Sequence, residues 1–288
     1  MIWVSGCKGM LGAEISRLFE KENITYYGSD KEVNVSDIHS LNNYIKNKSI
    51  HWIINCAAYT AVDKAEEDSE NCRLLNTLGA ANLAVISKKI NSRLIHISTD
   101  YVFDGKKNIP YREEDDTNPT GVYGLTKRNG ELAVSKNNTD SYIIRTSWLY
   151  GKYGNNFVST MIKLMNECNE IRVVNDQYGS PTWTYDLAVT ILYIINNNND
   201  IPYGIYNYSN EGKINWFDFA CEIYAKGREL GILKKDCSVI PCSSSEYPSK
   251  VKRPLFSVLD KNKIKTTLGI TIPFWKDSLH NYLKKCAS

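Results

Sequence analysis

Residues 2–12 read Ile-Trp-Val-Ser-Gly-Cys-Lys-Gly-Met-Leu-Gly. A short apolar run rich in strand-forming residues ends in Gly6, Gly9 and Gly12, spaced GxxGxxG, and a stretch with apolar residues at helical spacing follows at once. Strand, glycine turn and helix in that order form the context in which glycines let a backbone turn tightly and approach a pyrophosphate. The phosphate charge then meets the free N–H groups of the helix N-terminus. The second expected strand ends at Asp30, about 20 residues beyond the loop, where a carboxylate would accept hydrogen bonds from adenosine ribose hydroxyls. That favours NADH. Lys31 stands beside it and could neutralise a 2′-phosphate, which keeps NADPH open.

Outward from the loop, β-branched runs at 2–5, 24–29, 51–55, 93–98 and 141–146 alternate with helix-period stretches at 10–22, 37–47, 66–90 and 122–136. That rhythm predicts an α/β chain with a doubly wound, mainly parallel sheet. After residue 147 the rhythm changes to longer loops carrying Gly, Pro, Asn and Trp. The expected division is therefore a dinucleotide-binding domain over 1–147 and a smaller mixed α/β region over 148–288. Part of the latter, about 184–210 and including a helix at 184–195, is expected to pack back on the sheet.

The composition bounds the function. A chain of 288 residues, 42% apolar and 23% charged, is an ordinary globular mixture. Its formal charge of +3 is diffuse, which argues against a nucleic-acid partner. No apolar run approaches the roughly 20 residues of a membrane span, and the start carries no charged leader, so a cytoplasmic protein without membrane attachment is expected. The eight cysteines are scattered without a CxxC, and read as reduced thiols. The four histidines are dispersed, and no metal site is expected.

Tyr123 and Lys127 stand four residues apart on one face of the expected helix. A nearby ammonium favours ionisation of a phenol, whose ordinary pKa is about 10, and a tyrosine so placed can protonate a developing alkoxide. Thr99 lies at the carboxyl end of the expected fourth strand, where ligands of open α/β sheets bind, and its hydroxyl can orient a substrate carbonyl.

These strings together resemble the extended short-chain dehydrogenase/reductase family. The resemblance also rests on 55–66 (Asn-Cys-Ala-Ala-Tyr-Thr-Ala-Val-Asp-Lys-Ala-Glu), 98–103, 122–127, 145–150, 154–157, 175–182 and Arg253-Pro254 with 257–260, and so spans nearly the whole chain. It implies a Rossmann-type fold and transfer of hydride from NADPH or NADH to the C4 keto group of a nucleotide-linked 6-deoxysugar. By the same resemblance Thr99, Tyr123 and Lys127 form the catalytic triad. Gly6, Gly9, Met10, Leu11, Gly12, Asp30, Ala57, Ala58 and Thr60 line the cofactor, with Tyr123 and Lys127 reaching the nicotinamide side. Asp100, Tyr101, Trp148, Asn156 and Arg253, together with Thr99, face the sugar nucleotide, a small-molecule partner bound by a monomer or homodimer.

Two departures stand out. Asn34 and Val35 occupy the adenine-side turn where relatives carry an aspartate, so a cofactor contact there is weakened. Some relatives are described with Mg²⁺ at a subunit contact; Glu14 has a suitable place, but Thr184 and Tyr185 stand where a further carboxylate would be needed. Rival readings are a 4,6-dehydratase, which needs an acid where this chain has Tyr101, an epimerase, and a non-catalytic dinucleotide-binding regulatory subunit.

Overall fold

Six strands form one parallel sheet in the spatial order β6-β5-β4-β3-β1-β2, where β1 is Ile2–Ser5, β2 Tyr26–Ser29, β3 Trp52–Asn55, β4 Arg93–Thr99, β5 Ser141–Thr146 and β6 Gly204–Asn207. The computed structural model describes residues 1–247, 251 and 253–287. The central strands β1, β3, β4 and β5 are buried almost throughout because both faces of the sheet are covered there. Alternate side chains then go to opposite layers. On β1, Ile2 and Val4 join one core while Trp3 joins the other; on β5, Tyr142 and Ile144 oppose Ile143 in the same way.

One layer holds α1 (Met10–Lys21) and Thr184–Asn196, whose Leu187, Ile191 and Ile194 meet Ile15, Leu18 and Phe19. The opposite layer contains α2 (Ile38–Ile45), α3 (Ala80–Lys89) and α4 (Val122–Asn137), through Leu41, Leu83, Ala84 and Val134. The helix at 184–196 returns the chain to the sheet, where β6 pairs with β5 from Gly204↔Tyr142 to Asn207↔Arg145. Period counting misses β6, Gly-Ile-Tyr-Asn, which lies beyond residue 147, where longer loops interrupt the alternation of strand and helix.

After a separate short turn at Val62–Ala65, the expected helix at 66–90 runs unbroken from Ser69 to Lys89, but its α-helical winding opens into a wide π-type turn at Leu74–Gly79 just before α3. That turn aims Asn76 at the loop after β3: its Oδ1 accepts from Tyr59 N at 2.8 Å and its Nδ2 donates to Tyr59 O at 3.1 Å. Inserting a residue into a helical turn re-aims side chains, which is where such bulges serve a site.

The remaining chain builds a second core under Phe157–Glu167, Trp216–Glu229 and Trp275–Ala287, with Val158, Met165, Phe219, Ile223 and Leu279 fully buried. Short ladders join its pieces, among them Glu170–Val174 with Ser238–Cys242 and Tyr178–Gly179 with Ile214–Asn215. Among the described residues no helix is long and apolar enough to cross a membrane. None of the cysteines is disulfide-bonded.

Candidate active site

The strand order turns around between β1 and β3, since β2 lies outside β1 while β4 and β5 continue beyond β3. At such a switch point the loops leaving the two central strands diverge and open a crevice at their carboxyl ends. Here those loops are Gly6–Gly12 and Asn55–Thr60. Gly6 has φ of 75°, and a Cβ on it would come within 2.6 Å of Ala57 N. A Cβ on Gly12 would overlap the Gly6 carbonyl. The turn therefore closes only with glycine, and it brings the backbone at the start of α1 to the crevice. A side-chain-free cradle at a helix N-terminus fits the pyrophosphate of a dinucleotide. Gly6 N and Cys7 N both donate to Ser29 O, at 2.8 and 2.9 Å, which ties the loop to the end of β2 and sets Asp30 beside it.

A cavity of about 370 Å³ lies in this crevice, with Gly9, Met10, Leu11, Ala58, Thr60, Thr99, Asp100, Tyr101, Tyr123, Lys127 and Trp148 on its wall. It shares Thr60, Tyr101 and Trp148 with an outer cavity of about 820 Å³ that Arg253 also lines. The structure thus brings together the three residues of the expected triad, the glycine loop where it enters α1, and four of the expected sugar-side residues. Residues not singled out from sequence complete the walls. Cys56, Ser147, Leu149 and Asn155 line the inner space, and Phe157, Arg172, Gln177 and Trp216 the outer.

α4 supplies the chemistry by its spacing. Tyr123, Lys127 and Glu131 follow at i, i+4 and i+8 and face the sheet. Lys127 Nζ donates to Ile97 O at 2.5 Å. Glu131 is buried in a two-pronged pair with Arg145 of β5, at 2.9 and 2.8 Å, and also accepts from Ser98 Oγ. The helix is therefore pinned to β4 and β5 one turn below its reactive residues. A glutamate four residues after YxxxK is visible in the sequence, and only its burial gives it meaning.

Thr99 Oγ1 donates to Asp100 Oδ1 at 3.0 Å and accepts from Tyr101 N at 3.2 Å. Asp100 is 2% exposed, and burial raises its carboxyl to about 6 against hydrogen bonds from Ser257 and Thr99. Its Oδ2 has no hydrogen-bond partner among the described residues. Tyr101 and Tyr123 meet edge to face, with centroids 5.6 Å apart and planes at 74°.

One expectation is corrected here. Lys127 does not draw down the Tyr123 phenol. Part of Tyr123 opens on the cavity, but burial of the rest pushes its phenol well above the ordinary value, a hydrogen bond with Thr99 offsetting only part of this. Lys127 itself is 2% exposed and burial pushes it down to about 8, with Glu131 pulling the other way. Desolvation is the largest influence on both groups and favours the neutral form of each. Tyr123 is consequently a firmly protonated phenol at neutral pH, the form needed to donate.

Three sequence-derived positions lie elsewhere. Asn156 is the N-cap of Phe157–Glu167; its Oδ1 accepts from Ser159 N at 3.0 Å and its Nδ2 donates to Gly151 O at 2.9 Å, so its amide is spent on the fold. Its neighbour Asn155 reaches both cavities instead. Val35 is 4% exposed and packs in the core beneath Gly79, while Asn34 Oδ1 accepts from Ser36 N and closes its own turn. Replacing Asn156 by alanine should cost about 1 kcal/mol of stability in urea unfolding, the usual loss for a cap, and leave the substrate KM unmoved. A KM shift without a stability loss would restore Asn156 to the site. Arg253 reaches the outer cavity but pairs with Asp63 at 3.0 Å. Among the described residues no cluster of three or more His, Cys, Asp or Glu side chains could hold a metal, and Glu14 is paired with Arg17.

The family described as RmlD substrate binding domain matches residues 1–288. The chain belongs to this family. It is 38% identical over 288 residues to the spore coat polysaccharide biosynthesis protein SpsK of Bacillus subtilis, covering 100% of this chain and 98% of that protein. Among solved structures, a dTDP-4-dehydrorhamnose reductase from Clostridium acetobutylicum superposes with a TM-score of 0.93 at 39% identity, covering 100% of this chain and 99% of that one. A dTDP-4-dehydrorhamnose reductase from Bacillus anthracis, solved in complex with NADP, gives a TM-score of 0.93 at 36% identity, covering 99% and 98% of the two chains. The doubly wound α/β architecture is that of the family.

Proposed function

We propose that this chain is a reductase that transfers hydride from NADPH or NADH to C4 of a 4-keto-6-deoxy nucleotide sugar. The substrate we assign is dTDP-4-dehydro-β-L-rhamnose and the product dTDP-L-rhamnose, used for surface polysaccharide. The single observation that carries the reading is the convergence of Thr99, Tyr123 and Lys127 with the glycine cradle on one cavity. The names of the relatives supply the substrate. Residues 1–147 take the dinucleotide and 148–288 the sugar nucleotide, with the cytoplasm as compartment and a monomer or homodimer as the working form.

The backbone of Gly6–Gly12, with Met10 and Leu11, would hold the pyrophosphate side of the cofactor, Asp30 its adenosine ribose and Lys127 its nicotinamide ribose. The bound nicotinamide supplies the hydride. The keto oxygen lies between Thr99 and Tyr123, and the Tyr123 hydroxyl gives it a proton as negative charge develops there. Lys127, protonated at neutral pH, then stabilises the phenolate that Tyr123 becomes. Thr99 holds the carbonyl once its single hydroxyl proton turns from Asp100 Oδ1 to the keto oxygen. Arg253 suits the substrate's diphosphate, since a guanidinium can bind two phosphate oxygens at once.

Mixing the protein with NADPH and the dTDP-linked 4-keto-6-deoxysugar should consume cofactor in a one-to-one ratio with sugar, read by loss of the near-ultraviolet band of the reduced cofactor. Sugar conversion without cofactor loss would replace this reading by an epimerase or dehydratase.

A further inference from the structure

Among the described residues four that are not glycine have φ in the left-handed region. Asn23, Asn47 and Asn91 follow the ends of α1, α2 and α3, where asparagine commonly terminates a helix. The fourth is Trp148, with φ of 48°. A bulky side chain is unfavourable in that conformation and keeps it only when its surroundings over-determine it.

The surroundings are specific. The Trp148 indole lies parallel to that of Trp216, with centroids 3.4 Å apart and planes 8° from one another. It also lies against Gly179, where a Cβ would come within 2.5 Å of the indole. Gly179 and Trp216 belong to one small unit, because Gly179 pairs with Ile214 and Trp216 opens the helix that follows Asn215. Phe157 backs Trp216 at 4.4 Å between centroids, and Thr182 N donates to the Trp148 carbonyl at 3.1 Å. Trp148 borders both cavities, whereas Trp216 borders only the outer one. The strained indole therefore stands at the waist between the catalytic residues and the outer space.

We propose that Trp216 and Gly179 are positioning residues, which hold the Trp148 indole at this waist in a conformation it would not keep by itself and so set the fit of the sugar. The effect on the sugar rests on the reductase reading above; the clamp does not. Stacked indoles in van der Waals contact couple their strong far-ultraviolet transitions and give a pair of circular dichroism bands of opposite sign. The full chain should show that pair, and Trp216→Phe and Trp148→Phe should each abolish it.

Trp216→Leu and Gly179→Ala should raise the KM for the sugar nucleotide by about tenfold or more, the range in which apolar pocket contacts discriminate. kcat should stay within a few-fold and the Kd for NADPH should not move. Trp216→Phe, which keeps an aromatic face, should recover most of the KM. An absent couplet in the unsubstituted chain overturns the clamp. So does an unmoved KM in both variants, or a fall in kcat and NADPH affinity along with it. If the unsubstituted chain reduces no keto sugar, the reductase reading fails; the clamp is then judged by the couplet, which Trp216→Phe and Trp148→Phe should each abolish.

Discussion

Replacing Tyr123 by phenylalanine should lower kcat by about 10²–10⁴-fold, the usual worth of a positioned general acid. The Kd for NADPH should change no more than a few-fold. The ring stays, so the edge-to-face contact with Tyr101 and the seat on α4 are kept, and only the proton is lost. No neighbour replaces that proton directly. A threonine hydroxyl is a much weaker acid than a phenol, and Lys127 is turned to the Ile97 carbonyl. Asp100 is ionised above about pH 6 and is then an acceptor only. Steady-state turnover with stoichiometric cofactor loss is the measurement, and a variant within tenfold of the parent would remove Tyr123 from the proton path.

Lys127→Met separates activity from stability. The folded chain holds the Lys127 proton only below about 8, whereas the unfolded chain holds it up to an ordinary 10.5. Below about 8 both states are protonated, and the cost of burying the ammonium falls in full on the fold, on the order of 3 kcal/mol for that difference in pKa. Between those values the unfolded chain binds more protons, so stability rises with pH and the cost disappears. Methionine removes the buried charge together with its bond to Ile97 O. The variant should therefore be at least as stable as the parent at neutral pH and lack the parent's gain toward about pH 10.

Turnover should fall by about 10²-fold or more in the same variant, because nothing else stabilises the charge left on Tyr123. The parent's own rate of reduction should decline above about pH 8 as Lys127 loses its proton, and that limb should be missing from the variant. Urea unfolding at the two pH values and a pH–rate profile test both parts. A variant that is strongly destabilised at neutral pH yet active would show Lys127 to be a structural cation.

Both effects concern residues that spacing alone brings forward, and their legibility has a physical source. An i, i+4 pair on a helix shares a face whatever the helix packs against, so Tyr123 and Lys127 can be paired from their positions in the chain. The glycine loop is legible for a similar reason. Gly6 and Gly12 answer to local backbone geometry, a positive φ and a carbonyl that tolerates no Cβ, and such demands leave glycine in the sequence. The first five strands are legible as apolar or aromatic runs, but β6 is not. Asn156 shows the opposite failure: a polar residue between two motif residues reads as a ligand contact yet caps a helix, while Asn155 beside it opens on the cavities.

Sequence by itself determined the alternation of strand and helix, the cradle after β1 and the phenol–ammonium face of α4, because each depends on residues a few positions apart. Tertiary structure alone decided what those groups are chemically. Burial beside β4 keeps Tyr123 a phenol and makes Lys127 a weak ammonium, and contact with Trp216 and Gly179 holds Trp148 in its left-handed conformation. Desolvation and stacking arise from chain segments tens of residues apart, and no local pattern records which of them will meet.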